Sequence, residues 1–135
     1  MTDFKVAVGV GCDRHTPLAH LKCALQQALS LAGLQHEQIA SFASINAKSD
    51  ELALLALAQT YALPLHFYTP AELAVVVVPN PSATVQRYMG TPSVSEAAAL
   101  LAAGCSAKDL LIEKHKYRGA DDKNATISIA RMKHD

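Results

Sequence analysis

With 135 residues, half of them apolar, and a formal net charge of zero, the chain fits one compact domain that covers residues 1–135. This neutrality argues against nucleic acid as a partner, because such binding generally relies on a broad basic field. The three cysteines form no C-x-x-C pair and no apolar stretch is long enough to cross a bilayer, so we expect a cytoplasmic protein without a disulfide framework, a zinc site or a membrane partner.

The first strand and helix are indicated near the start of the chain. The valine-rich run 4–10 predicts a buried strand. Thr16 and Pro17 predict the helix that follows, with the threonine as N-cap and the proline at the first helical position. Leucines and alanines then keep to one helical face as far as Ala32, and Gly33 is a suitable C-terminal stop.

A second strand and helix follow the same order. The run 39–45 predicts a strand, and the polar and acidic residues 49–51 predict the start of a helix that continues to Tyr61. Residues 65–68 predict a short third strand. The valines at 75–78 are compatible with a further strand or with an extended edge, and the pattern leaves this open.

The last third of the chain predicts one helix and two strands. Ser93 and Glu96 have the spacing of a capping box, and the alanine-leucine run after them predicts a helix that ends at Gly104. Residues 110–113 and 125–131 predict two strands joined by a polar hairpin loop. The alternation of strands and helices predicts an α/β fold, a three-layer α/β/α sandwich with a mainly parallel sheet and a C-terminal antiparallel hairpin.

Several polar loops are expected to meet at one edge of this sheet. Ligands of such sheets bind outside the carboxyl ends of the strands, and the loops 9–15, 46–50 and 78–82 each follow a strand and precede a helix. The loop that starts at Lys114 joins them if its strand runs parallel to the others. Helix N-termini, hydroxyls, an amide and several cations suit the binding of an anion. The candidate ligand-binding residues are Gly11, Arg14, Asn46, Lys48, Asn80, Ser82, Lys114 and Lys116.

The opening segment VGVGCDRHTP does not fit a nucleotide-binding loop. Gly9 and Gly11 supply only the first two glycines of G-x-G-x-x-G, and Arg14 stands where the third is needed. Two alternatives remain open: the glycines permit a sharp strand-to-helix turn, or the N–H groups of this turn face a carboxylate.

Cys12 and His15 are the candidate catalytic residues of the same segment. A helix N-terminus with Arg14 and His15 nearby would favour a reactive thiolate at Cys12, whereas a small buried residue beneath a tight turn is the alternative. No acid is evident to orient His15. The C-x-x-H pair has no second cluster to complete a metal site, so we expect neither a metal nor a cofactor.

Five segments occur in the order and spacing of one known family. They are GVGCDRHT, ASINAKSDE, PNPSATV, GTPSVSEAAAL and LIEKHKYRGADDKNATISIAR. Together they resemble the cobalamin-biosynthesis protein CobE and the C-terminal domain of CbiG, over residues 4–131. The family pattern in the first segment is usually G-x-G-C-R-R-G, from which this chain departs because Asp13 replaces a basic residue and His15 replaces a glycine.

The resemblance implies a role in assembling the corrin ring of vitamin B12, on the aerobic route. The first hypothesis is an accessory protein whose cations bind the carboxylates of a precorrin or corrinoid intermediate. The alternative is a precorrin lactone hydrolase that releases acetaldehyde, as CbiG does, with His15 as general base and Arg14 or Lys48 stabilising the oxyanion. A scaffold that contacts other cobalamin-pathway enzymes is a third hypothesis.

Overall fold

The computed structural model describes residues 4–46, 49–76 and 94–132, apart from the side chain of Ala107. The strands of this part of the chain are β1 (Val6–Cys12), β2 (Ile39–Ile45), β3 (Leu65–Tyr68), β4 (Leu110–Arg118) and β5 (Asn124–Arg131). Its α-helices are α1 (Leu18–Ala32), α2 (Leu52–Tyr61), α3 (Pro70–Ala74) and α4 (Val94–Ala103). The strands predicted at 39–45 and 65–68 therefore have the bounds that the sequence indicated.

The five strands form one sheet in the order β3-β2-β1-β5-β4. β1 pairs in parallel with β2, and β2 in parallel with β3. β5 is antiparallel to both of its neighbours, β1 and β4, so β4 points in the same direction as β1. The predicted sandwich with a C-terminal antiparallel hairpin is confirmed, and the carboxyl ends of β1 to β4 lie at the same edge.

Alternate residues of β1 face two separate helical layers. Val8 belongs to the apolar cluster shared with α1 and α2, whereas Ala7 belongs to the cluster shared with α4. This alternation follows from the two-residue period of a strand, and it buries both faces of β1. No helix among the described residues has the length and apolarity needed to cross a membrane.

The position of the opening glycines corrects one expectation. β1 continues to Cys12, so Gly9 and Gly11 lie within the strand and do not form a strand-to-helix turn. Gly9 lies directly against the backbone of α4, because a Cβ added there would be 1.9 Å from the carbonyl oxygen of Ser95. The glycine at this position therefore permits the close approach of a helix.

The C-terminal hairpin differs from the prediction in its length. β4 does not end at residue 113 but extends to Arg118, so Lys114 and Lys116 lie in a strand and not in a loop. The charges of this segment are typical of a loop, but they are also typical of an edge strand, where they discourage pairing with other chains. Register shifts between Leu110 and His115 add irregularity to this edge.

The start of α1 and one short helix also differ from expectation. α1 begins at Leu18 with Pro17 at the N-cap position, one residue later than predicted. Thr16 instead donates its hydroxyl hydrogen to the carbonyl oxygen of Asp13. The short helix α3 was not predicted. In the valine run that follows it, residues 75–76 form a turn and a bend, and residues 77–78 lie outside the described part of the chain.

Candidate functional site

A cleft of about 550 Å³ lies at the carboxyl ends of β1 and β2, where α1 and α2 begin. Arg14 and His15 contribute to it from the loop after β1, and Asp50 and Glu51 from the loop before α2. Parallel pairing of β1 with β2 brings these two loops to the same edge, which is where a ligand site is expected in such a sheet.

Apolar side chains form another part of the cleft wall. Pro17 and Leu18 belong to the start of α1, and Leu52 and Ala56 to the exposed side of α2. Leu52 is 79% exposed, which is unusual for a leucine in a small domain. The cleft thus combines charged groups with an apolar surface.

Arg14 is held by two carboxylates. Its Nη1 donates to Asp50 Oδ1 at 2.7 Å and to Glu51 Oε2 at 2.8 Å. The hydrogen bonds to Arg14 lower the pKa of the Asp50 carboxyl, and the two carboxylates in turn raise the pKa of the guanidinium. The α2 N-cap residue is Glu51, whose side chain makes no capping hydrogen bond and is directed to Arg14 instead.

The same buried carboxylate also anchors the backbone of the first loop. Glu51 Oε1 accepts a hydrogen bond from the backbone N–H of His15 at 3.0 Å. A backbone N–H of this turn therefore does face a carboxylate, as one of the two alternatives anticipated, but the carboxylate belongs to the chain itself.

His15 occupies an unusual backbone conformation. Its φ is 61°, in the left-handed region that favours glycine. His15 also stands where the pattern G-x-G-C-R-R-G has its last glycine. Among the described residues, no carboxylate forms a hydrogen bond with the His15 ring, so no acid of that part of the chain orients this imidazole for general-base chemistry.

Replacing His15 by glycine is expected to change the free energy of unfolding by less than about 1 kcal/mol, because relief of the left-handed strain offsets the added freedom of the unfolded chain. His15→Val should lower it by about 2 kcal/mol, since a β-branched residue is poorly accommodated at positive φ. Urea unfolding of the three proteins measures both changes. Equal stability of the glycine and valine variants would contradict this explanation.

Cys12 is the last residue of β1 and lies opposite Ala125 of β5. It is partly buried against the apolar cluster on the α1 and α2 face, and it is not among the residues that line the cleft. Cys12 is thus a partly buried strand residue and does not lie beneath a tight turn, and its predicted catalytic role stays a prediction.

The other predicted ligand-binding residues are more widely spread. Gly11 lies in β1 opposite Thr126, and Asn46 is exposed just after β2. Neither these two nor Lys114 and Lys116 are among the residues that line the cleft. The described part of the chain does not include Lys48, Asn80 or Ser82, so their predicted roles remain predictions.

Lys114 contacts a buried acid on the α4 side of the sheet. Its Nζ lies 3.4 Å from Oε1 of Glu96, whose side chain has 0% exposure, while the Lys114 side chain is 20% exposed. Neither carboxylate oxygen of Glu96 accepts a hydrogen bond from the described residues. The predicted capping box pairs Glu96 with Ser93, which lies outside the described residues, so that role stays a prediction; the contact that the structure gives Glu96 is with Lys114.

His20, which the sequence did not indicate as a site residue, has a carboxylate beside its ring. Nε2 of His20 lies 2.9 Å from Oδ1 of Asp121, and the hydrogen bond to His20 lowers the pKa of the Asp121 carboxyl. The ring also meets Tyr117 edge-on, with centroids 5.4 Å apart. A separation of 101 residues gives no sequence signal for this pair, and it joins α1 to the hairpin beside the sheet edge.

No group of three or more His, Cys, Asp or Glu side chains that could hold a metal ion occurs within residues 4–46, 49–76 and 94–132.

Known proteins resemble this chain over nearly its whole length. A family model described as "Cobalamin synthesis G C-terminus" matches residues 6–130. The cobalt-precorrin-5A hydrolase of Priestia megaterium is 32% identical over 130 residues, which is 96% of this chain but 33% of that protein. Protein CobE of a Sinorhizobium species is 37% identical over 111 residues, or 81% of this chain and 71% of that protein. The chain thus spans about a third of the hydrolase's length.

Solved structures show the same similarity. The crystal structure of CobE, described as a protein from the cobalamin (vitamin B12) biosynthetic pathway, has a TM-score of 0.79 and 33% identity, covering 99% of this chain and 94% of that one. The crystal structure of cobalamin biosynthesis protein chiG from Agrobacterium tumefaciens has a TM-score of 0.64 and 25% identity, covering 96% and 99%.

Proposed function

Because the chain belongs to the family described as cobalamin synthesis G C-terminus, we propose that it binds a precorrin or corrinoid intermediate through the carboxylates at the edge of the macrocycle. The protein is a cobalamin-biosynthesis protein of the CobE and CbiG type. The proposal places it on the aerobic route in the cytoplasm, where other pathway enzymes would supply and receive the intermediate.

The observation that supports binding is the composition of the cleft. A precorrin is a broad apolar ring with acetate and propionate groups at its edge. Leu18, Leu52 and Ala56 offer an apolar wall of matching character, and Arg14 offers a planar guanidinium suited to a carboxylate. Ligand pockets commonly combine apolar walls with a few placed polar groups.

The experiment is a titration with cobyrinic acid and with its metal-free counterpart, in which binding is followed by the absorption of the macrocycle. We expect both acids to bind, and Arg14→Met to weaken binding at least about tenfold, because the guanidinium is lost. Arg118→Met is the matched control: Arg118 forms an exposed ion pair with Asp122 on the hairpin and does not line the cleft. Equal effects of the two substitutions, or no binding by the parent protein, would contradict the proposal.

Hydrolysis of a precorrin lactone is the second candidate function, because one relative is named cobalt-precorrin-5A hydrolase and aligns with 96% of this chain. In this role His15 would act as general base for the attacking water. An accessory binding role is favoured, since no described acid orients the His15 ring.

His15→Asn separates the two functions, because asparagine tolerates positive φ but lacks the imidazole. The measurement is release of acetaldehyde from a lactone-bearing precorrin. Release by the parent protein and its loss in the variant, with unchanged affinity, would establish hydrolysis. Binding without any change in the mass of the ligand would support the accessory role.

A further inference from the structure

We propose that Asp50 is a built-in competitor for the Arg14 guanidinium, which a carboxylate of the ligand displaces when it binds. The inference rests on the proposed function and adds a specificity-determining residue to the same site. It is motivated by a difference between the two carboxylates that hold Arg14.

The two carboxylates differ in exposure and in the number of groups that they hold. The Glu51 side chain is 4% exposed and bonds both to Arg14 and to the backbone N–H of His15. The Asp50 side chain is 72% exposed, and within the described part of the chain its side-chain hydrogen bonds to other residues are with Arg14. Exposed ion pairs contribute little to stability because water and salt compete with them, so Asp50 is the partner that can be exchanged.

The geometry of the Asp50 contact is that of a carboxylate ligand. Nη1 of Arg14 lies 2.7 Å from Oδ1, and Nη2 lies 3.4 Å from Oδ2, so two guanidinium nitrogens face the two oxygens. An acetate or propionate group of a macrocycle could take the same place by the same fork-shaped contact. Glu51 would meanwhile keep Arg14 in position from the buried side.

The charges give this competition a consequence for selectivity. While Asp50 is in place, its exposed negative charge lies directly beside the guanidinium that an incoming carboxylate would contact. A ligand that offers only one carboxylate is thereby disfavoured. A ligand that also covers the apolar wall at Leu52 has a further source of affinity.

The test compares the parent protein with Asp50→Asn in titrations with cobyrinic acid. Removing the competitor should tighten binding by roughly threefold to fivefold, the upper part of the range for an exposed pair. The matched control is Asp122→Asn, which removes the same charge from an exposed pair with Arg118 outside the cleft. Its affinity should stay within about twofold of the parent. Cobinamide, whose side chains are amides, should show no difference between the parent and Asp50→Asn.

Glu51→Gln supplies the opposite expectation: it removes the buried negative charge that holds Arg14, so binding of cobyrinic acid should weaken. If Asp50→Asn also weakens binding, or leaves it unchanged while the parent protein binds, the competitor role is wrong and the proposed function stands. If neither the parent nor Asp50→Asn binds cobyrinic acid, the proposed function fails and this inference fails with it.

Discussion

Substitution of Gly9 by alanine is expected to lower the free energy of unfolding by about 3 kcal/mol, because an added methyl group has no space between β1 and α4. Its carbon would lie 1.9 Å from the carbonyl oxygen of Ser95 and 2.9 Å from the amide nitrogen of Ala99. Both atoms belong to the helix backbone, so relief requires α4 to move away from the sheet. Urea unfolding measures the change.

Gly11→Ala is the matched control within the same strand. A Cβ at Gly11 would have Thr126 Cβ as its nearest neighbour, at 3.9 Å, which is an ordinary van der Waals contact. Its effect should therefore stay within about 0.5 kcal/mol. A Gly9→Ala variant as stable as Gly11→Ala would show that α4 does not pack against β1 at this distance.

Replacement of Lys114 by methionine is expected to lower the free energy of unfolding by about 3 kcal/mol, since it leaves the buried Glu96 carboxylate without the cation beside it. The cost arises from the uncompensated charge and not from lost packing, because methionine keeps most of the apolar stem. Thermal and urea unfolding at neutral pH measure the change.

Two further variants test this explanation. Lys116→Met removes an exposed charge from the same strand and should change stability by less than about 0.5 kcal/mol. Combining Lys114→Met with Glu96→Leu should recover most of the lost stability, because the buried charge is then absent as well. If the double variant is no more stable than Lys114→Met alone, Glu96 is not the source of the cost.

The same double variant bears on the predicted binding role of Lys114. The double variant should recover most of the parent's folding stability, but it still lacks the Lys114 ammonium group. If the double variant binds cobyrinic acid as tightly as the parent does, Lys114 serves the interior pair with Glu96 and contributes nothing to the ligand. Weaker binding by a stable double variant would instead support the predicted contact with a macrocycle carboxylate.

Much of the secondary structure followed from the sequence alone, because it depends on contacts between near neighbours in the chain. β2 and β3 have the bounds that their apolar runs indicated. Gly33 and Gly104 both adopt the left-handed conformation that ends a helix, as glycine permits at low cost. The hairpin boundary was wrong because charge density does not distinguish a loop from an edge strand, which needs only one paired side.

The family resemblance, read from five motifs in order, also came from the sequence and is confirmed by the matching family model. The alternation of strands and helices also placed the loops 9–15 and 46–50 at one edge of the sheet, but only the tertiary structure decided which side chains meet there. Arg14 meets Asp50 and Glu51 across 36 and 37 residues because β1 and β2 are adjacent in the sheet, and His20 meets Asp121 across 101 because the hairpin packs on α1. Local periodicity determines which residues form a strand, but strand order and register determine which side chains of neighbouring loops come into contact, and no near-neighbour pattern encodes them.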